Sequence, residues 1–118
     1  MTDRLADLTR DLIAFRDERD WKKFHTLKDL ILSVGIEAGE LMELAQWIDT
    51  AELEARTTDP AFRQRLSEEV SDVFLYLLLI CEKMGVDPID AALHKIAMNR
   101  RKYPPEKARG RAVKYTDL

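Results

Sequence analysis

The sequence predicts an all-α fold, a helical bundle of four main helices with an extended C-terminal tail. Three observations point there. Apolar residues recur at steps of three and four over most of the chain, no stretch alternates apolar and polar residues for long enough to form a strand, and the breaks between periodic segments carry helix start and stop residues. A length of 118 residues suits one domain, 1–118, large enough to bury a sizeable core.

The first helix is expected to begin after Thr2 or Asp3 and to run to about Glu18, with Leu5, Leu8, Leu12 and Phe15 on one face. Trp21, Phe24 and His25 fall in the connection that follows. The second helix starts near Thr26, a capping hydroxyl with Asp29 three residues on, and continues through Leu30, Val34, Leu41 and Leu44 to about Ile48. Gly35 and Gly39 each cost it about 1 kcal/mol of propensity, which suggests close approach by a neighbouring helix or a ligand. Residues Asp49 to Asp59 are polar, a loop or a short helix. Asp59-Pro60 then opens a long third helix that stops at Gly85, and Asp87-Pro88 opens a fourth that ends before Tyr103-Pro104-Pro105. The tail from Glu106 to Leu118 shows no helical stripe.

Composition narrows the function classes. Hydrophobic residues make up 46% of the chain and charged residues 35%, with only four Gly and four Pro, so disordered and low-complexity readings fail. The longest apolar run, Val73 to Cys81, is nine residues, well short of the roughly 18 a membrane span needs. Cys81, the single cysteine, has no partner in the chain for a disulfide, which fits a reducing, cytoplasmic setting, and the charged segment Met1 to Asp11 does not read as a signal peptide. The net charge is -3, but residues 95 to 118 carry eight Lys and Arg against two acids, so the rest of the chain is at -9. Such a molecule is not built to grip duplex nucleic acid; on charge alone its basic end reads first as a solvated, solubilising tail and second as a holder of a small polyanion.

The informative pattern is Glu37-x-x-Glu40 in the second helix and Glu69-x-x-Asp72 in the third. A step of three places both carboxylates of a pair on adjoining positions of one face. With Leu30 at zero and about 100° per residue, Leu41 falls at about 20°, Leu44 at about 320° and Glu37 at about 340°, inside the apolar stripe, with Glu40 at its edge. With Leu66 at zero, Glu69 falls at about 300°, beside Ile80 at about 320°, and Asp72 lies further to the edge. Carboxylates drawn from apolar flanks need cations. Neither helix carries a basic residue at those angles except Lys83 near an end, so a divalent metal is the economical partner, and oxygen-only ligands favour Mg²⁺ or Mn²⁺. A di-iron bundle would need Glu-x-x-His pairs, and neither His25 nor His94 supplies one.

Mg²⁺ held by carboxylates is usually completed by substrate phosphates, which predicts a phosphorylated ligand. Lys95, Asn99 and Tyr103 recur at four-residue steps and offer a cation, an amide and a phenol to a phosphate chain and sugar, flanked by Arg100 and Lys102. Trp21, Trp47 and Tyr76 are flat faces for a nucleobase, and Trp47, near 260° on the second helix, sits next to Glu40. His25 is placed to donate to a base edge or a phosphate.

The segments FRDERDWKKFHTLKDL, GIEAGELMELAQW, EEVSDVFLYL and KIAMNRRKYP, with a KYTDL ending, resemble the MazG-related all-α nucleoside triphosphate pyrophosphohydrolases, specifically the small branch similar to dCTP pyrophosphatase. The resemblance covers about Leu12 to Leu118. It implies Mg²⁺-dependent cleavage between the α- and β-phosphates of a nucleotide, giving monophosphate and pyrophosphate in the service of nucleotide-pool sanitation. It also implies metal ligation by Glu37, Glu40, Glu69 and Asp72, with Glu40 and Glu69 catalytic; a base and sugar pocket of Trp21, His25, Trp47 and Tyr76; contacts to phosphate or sugar from Lys95, Asn99, Arg100 and Tyr103; and assembly as a homodimer or as a homotetramer, a dimer of dimers. Lys22 and Asp29 stand where that branch often has Gln and Asn, so the base is open: cytosine or a modified pyrimidine first, a purine, a damaged nucleotide or phosphoribosyl-ATP as alternatives. A catalytically silent helical interaction module is the alternative of another class.

Overall fold

The computed structural model describes residues 3–118, in which six α-helices and two 3-10 turns form two compact units, 3–85 and 86–118. In the first unit, α1 spans Arg4–Glu18, α2 Leu27–Glu43, α3 Thr50–Arg56 and α4 Pro60–Met84. The second holds α5, Pro88–Lys102, and the one-turn α6, Pro105–Ala108. No strand occurs among the described residues, and no helix there is long and apolar enough to cross a membrane.

Each start signal does the work its chemistry allows. Asp3 accepts from the amides of Leu5 and Ala6; Thr2, the other candidate for the start of α1, lies outside the described residues. The Thr26 hydroxyl accepts from the Asp29 amide at 3.1 Å. Asp87 caps α5 by accepting from the amides of Ile89 and Asp90, with Pro88 just inside. Gly85 ends α4 at φ 65°, a left-handed conformation that costs glycine nothing.

Two boundaries differ from expectation. The second helix ends at Glu43 rather than near Ile48. The amides of Leu44, Ala45 and Gln46 turn to carbonyls three residues back, Trp47 takes a left-handed φ of 67°, and Asp49 caps the polar segment as the separate helix α3. Local capping by Asp49 outweighs continuation of the apolar stripe. In the tail, Pro105 starts the single turn of α6, and Tyr115–Asp117 forms a 3-10 turn; the rest has no regular structure.

The core of the first unit lies where α2 packs along α4, with α1 against α4 as a lesser contact. Leu30, Leu78 and Leu79 are its most buried hydrophobic residues, with Leu44 and Phe62 next in burial. Leu30→Ala is expected to lower unfolding stability by about 2–5 kcal/mol in urea denaturation, through lost transfer energy and the cavity left behind. A loss under 1 kcal/mol would mean that this contact is not the core.

Opposite that core, α2 is also apolar. Ile31, Leu32, Ile36 and Met42 are more than half exposed, as a helix apolar on all sides must be when only one side is covered. The glycines lie on this second face. A side-chain carbon at Gly35 or Gly39 would meet nothing within 4 Å, so neither is required for packing inside the chain.

Candidate active site

The two acidic pairs meet as the helical rotation predicts. Glu37 and Glu40 on α2 and Glu69 and Asp72 on α4 each bring a carboxylate oxygen within 4.8 Å of the others. Glu37 and Glu69 are half-buried, and each has an oxygen, Oε2, that is sealed from solvent without a hydrogen-bond partner; Glu40 and Asp72 are exposed. Orphaned anionic oxygens crowded in this way fit a hard divalent cation.

The electrostatics agree. Burial pushes the Glu37 carboxyl above its ordinary pKa, helped by a hydrogen bond to Glu40 and by the charges of Glu40, Asp72 and Glu69. Glu69 is raised by burial and then by the charges of Glu40 and Asp72. Arg65, one turn before Glu69, works against that rise without reversing it. It is the basic neighbour that the angular count passed over.

A cavity of about 200 Å³ adjoins the cluster, with Asp72 in its wall. Trp21, His25 and Tyr76 line it, with Leu12, Leu75 and Leu79 as an apolar backing. Trp21 is held by an edge contact to Phe15, and its amide bonds the Arg16 carbonyl at the end of α1. His25 closes the 3-10 turn Lys22–Phe24 and sets its ring 6.5 Å from that of Tyr76. Its Nδ1 is buried without a partner, and burial, followed by the charges of Arg16 and Lys83, holds its pKa below the usual value.

The other expected residues are placed differently. Trp47 lies beyond α2 and is 92% exposed, so its assignment to an angle on that helix is corrected: the turn that ends α2 displays the indole to solvent. Lys95, Asn99 and Arg100 are on α5 of the second unit, and Tyr103 is its C-terminal cap rather than a helical residue, with its ring edge-on to Tyr115.

Arg16 is the residue that sequence reading missed. It lines the same cavity at 5% exposure, while Phe15, expected in the stripe, is 45% exposed. The signal was present, since Arg16 follows Leu12 by four residues and shares its face. An arginine inside an apolar stripe is easily read as surface.

The MazG-like family model matches residues 32–118. The chain belongs to the MazG-like family. Among similar proteins, dCTP pyrophosphatase 1 of Rattus norvegicus is 42% identical over 97% of this chain and 67% of its own length, and that of Homo sapiens is 41% identical over the same shares. Among solved structures, a pyrophosphatase from Archaeoglobus fulgidus superposes with a TM-score of 0.81 at 36% identity, covering 88% of this MazG-like chain and 95% of that one.

Proposed function

We propose that this MazG-like protein is a Mg²⁺-dependent hydrolase of the α–β phosphoanhydride in deoxynucleoside triphosphates, acting on dCTP or a modified pyrimidine relative and releasing monophosphate and pyrophosphate. The observation that carries the reading is the four-carboxylate cluster opening onto an aromatic cavity through the shared residue Asp72. The dCTP pyrophosphatase relatives and the solved pyrophosphatase support the reaction class. Removal of damaged or surplus nucleotides is the role that follows.

Glu37, Glu40, Glu69 and Asp72 would hold the metal, Mg²⁺ or Mn²⁺, which when bound supplies positive charge to the phosphate oxygens and lowers the pKa of an attacking water. Glu40 and Glu69 are assigned to catalysis: they orient water for attack at the α-phosphorus and accept a proton from it as the bond to the β-phosphate oxygen breaks. Trp21 and Tyr76 bracket the base and His25 donates to it. Lys95, Asn99, Arg100 and Tyr103 are assigned to the phosphates and sugar. The match over residues 32–118 spans both compact units, which supports one catalytic domain over 1–118. The exposed apolar face of α2 supports a homodimer or a dimer of dimers. The cytoplasm, where the substrates are made, is the assigned compartment.

The deciding experiment measures pyrophosphate and nucleotide products from a panel of canonical and modified triphosphates, with Mg²⁺ and with EDTA. Metal-dependent release of monophosphate and pyrophosphate is expected, with pyrimidine deoxynucleotides ranked first. No release from any nucleotide would leave a catalytically silent interaction module. Trp47→Ala is expected to weaken nucleotide binding about tenfold in calorimetric titration, the value of one lost stacking face. Unchanged affinity would show that Trp47 takes no part in substrate binding.

A further inference from the structure

Arg16 is a buried cation whose partners are not buried. Its guanidinium donates from Nε to Asp17 at 2.9 Å and from Nη1 to Glu82 at 3.4 Å, yet its side chain is 6% exposed while theirs are 53% and 37% exposed. Burial costs a cation its hydration, and that cost is recovered only when its N–H donors are well satisfied. Here the positive end reaches inward and the negative ends stay near water. The two contacts use two of the five N–H donors that an arginine carries.

The surroundings give the remaining donors a target. Arg16 lines the aromatic cavity that contains Trp21, Tyr76 and Asp72, and it also lines a second cavity of about 210 Å³ with Lys22, His25 and Lys83. The aromatic cavity is smaller than the roughly 300–1,000 Å³ typical of sites for drug-sized ligands, so it suits a base rather than a whole nucleotide, with the phosphates directed out to the acidic cluster at Asp72. Arg16 and His25 bring nitrogen donors to this cavity, set in a wall otherwise made largely of leucine and aromatic rings.

We propose that Arg16 is the specificity-determining residue of the base pocket, selecting bases that present two adjacent hydrogen-bond acceptors. This rests on the nucleotide-hydrolase reading above. Among pyrimidines that edge is O2 and N3 of cytosine; thymine and uracil carry N3–H at the second position, a donor facing a donor. Substituents at C5 of cytosine leave the edge untouched, so cytosines modified there remain substrates. Among purines, guanine offers the same chemistry at O6 and N7, and adenine does not.

The test compares wild type, R16Q and R16K in kcat/KM for dCTP against dTTP and for dGTP against dATP. Calorimetric titration with dCMP and dTMP in EDTA reads the pocket without metal or turnover. R16Q offers an amide that donates and accepts; R16K keeps the charge near Asp17 and Glu82 but loses the fork, which keeps the test valid if R16Q fails to fold. Wild type is expected to prefer dCTP and dCMP, and both variants to lower that preference about tenfold or more. A fall confined to the dGTP:dATP ratio would also support Arg16 as the reader and would assign guanine as its base. Unchanged ratios in a folded variant, or a wild type with no preference in either pair, would overturn the proposal. A wild type that hydrolyses no nucleotide yet binds dCMP over dTMP through Arg16 would overturn the hydrolase reading and leave this one standing.

Discussion

Glu40→Gln and Asp72→Asn are each expected to lower pyrophosphate release by two orders of magnitude or more, about the loss seen when one preorganised electrostatic group is removed from an active site. Both side chains are exposed at the rim of the cluster, and neither holds the fold together. Each also contributes to the charge that pushes Glu37 and Glu69 upward, so neutralising either relieves repulsion in the metal-free protein. The thermal midpoint of the apoprotein should therefore hold or rise while turnover collapses. A structural carboxylate behaves in the opposite way, with activity falling because the midpoint falls. Near-normal turnover in both variants would sink the metal assignment.

The second large effect is the response to Mg²⁺ as a function of pH. Glu37 and Glu69 are raised in the folded state, so the fold holds their protons more tightly than the unfolded chain does. A raised carboxyl contributes stability that is complete below the ordinary glutamate value of about 4.3 and is lost as pH rises through the folded value. The metal-free protein should therefore lose part of its stability as pH rises out of the carboxyl range. Under the metal assignment proposed for these carboxylates, added Mg²⁺ is expected to replace those protons and to bind better as they leave. At a hundredfold excess over Kd, linkage gives about 2.7 kcal/mol, a rise in Tm on the order of 10 °C for a chain of this size. Scanning calorimetry at pH 5 and pH 7.5, with Mg²⁺ and with EDTA, checks this. The increment should be larger at pH 7.5, and an equal increment at both would show that the cation binds somewhere other than these carboxylates.

Local chemistry made most of the fold legible. Asp59-Pro60, Gly85 and Asp87-Pro88 each act within a few residues, and the structure places the corresponding helix ends at those signals. The acidic cluster was legible for a related reason: rotation along two long helices fixes which side chains share a face, and four carboxylates on core-facing flanks leave few partners to choose from. What escaped depends on competition and on depth. The end of α2 is decided by Asp49 capping the next helix, a contest that apolar periodicity does not register. Arg16 escaped because burial of a charge is a tertiary fact; nothing in Leu12-x-x-x-Arg16 reveals that Glu82, 66 residues away, will stand beside it.

Trp47 carries a further consequence. A residue with a side chain held at φ 67° is strained relative to glycine by about 1 kcal/mol, and this one gains almost no burial inside the chain in return. Trp47→Gly removes that strain and gives part of it back as added freedom of the unfolded chain, so heat resistance should hold or improve while the stacking face disappears. Under the substrate-stacking role proposed for Trp47, stability and affinity are opposed at this position. Evolution for thermal tolerance alone would discard the indole, and evolution for substrate capture would keep it.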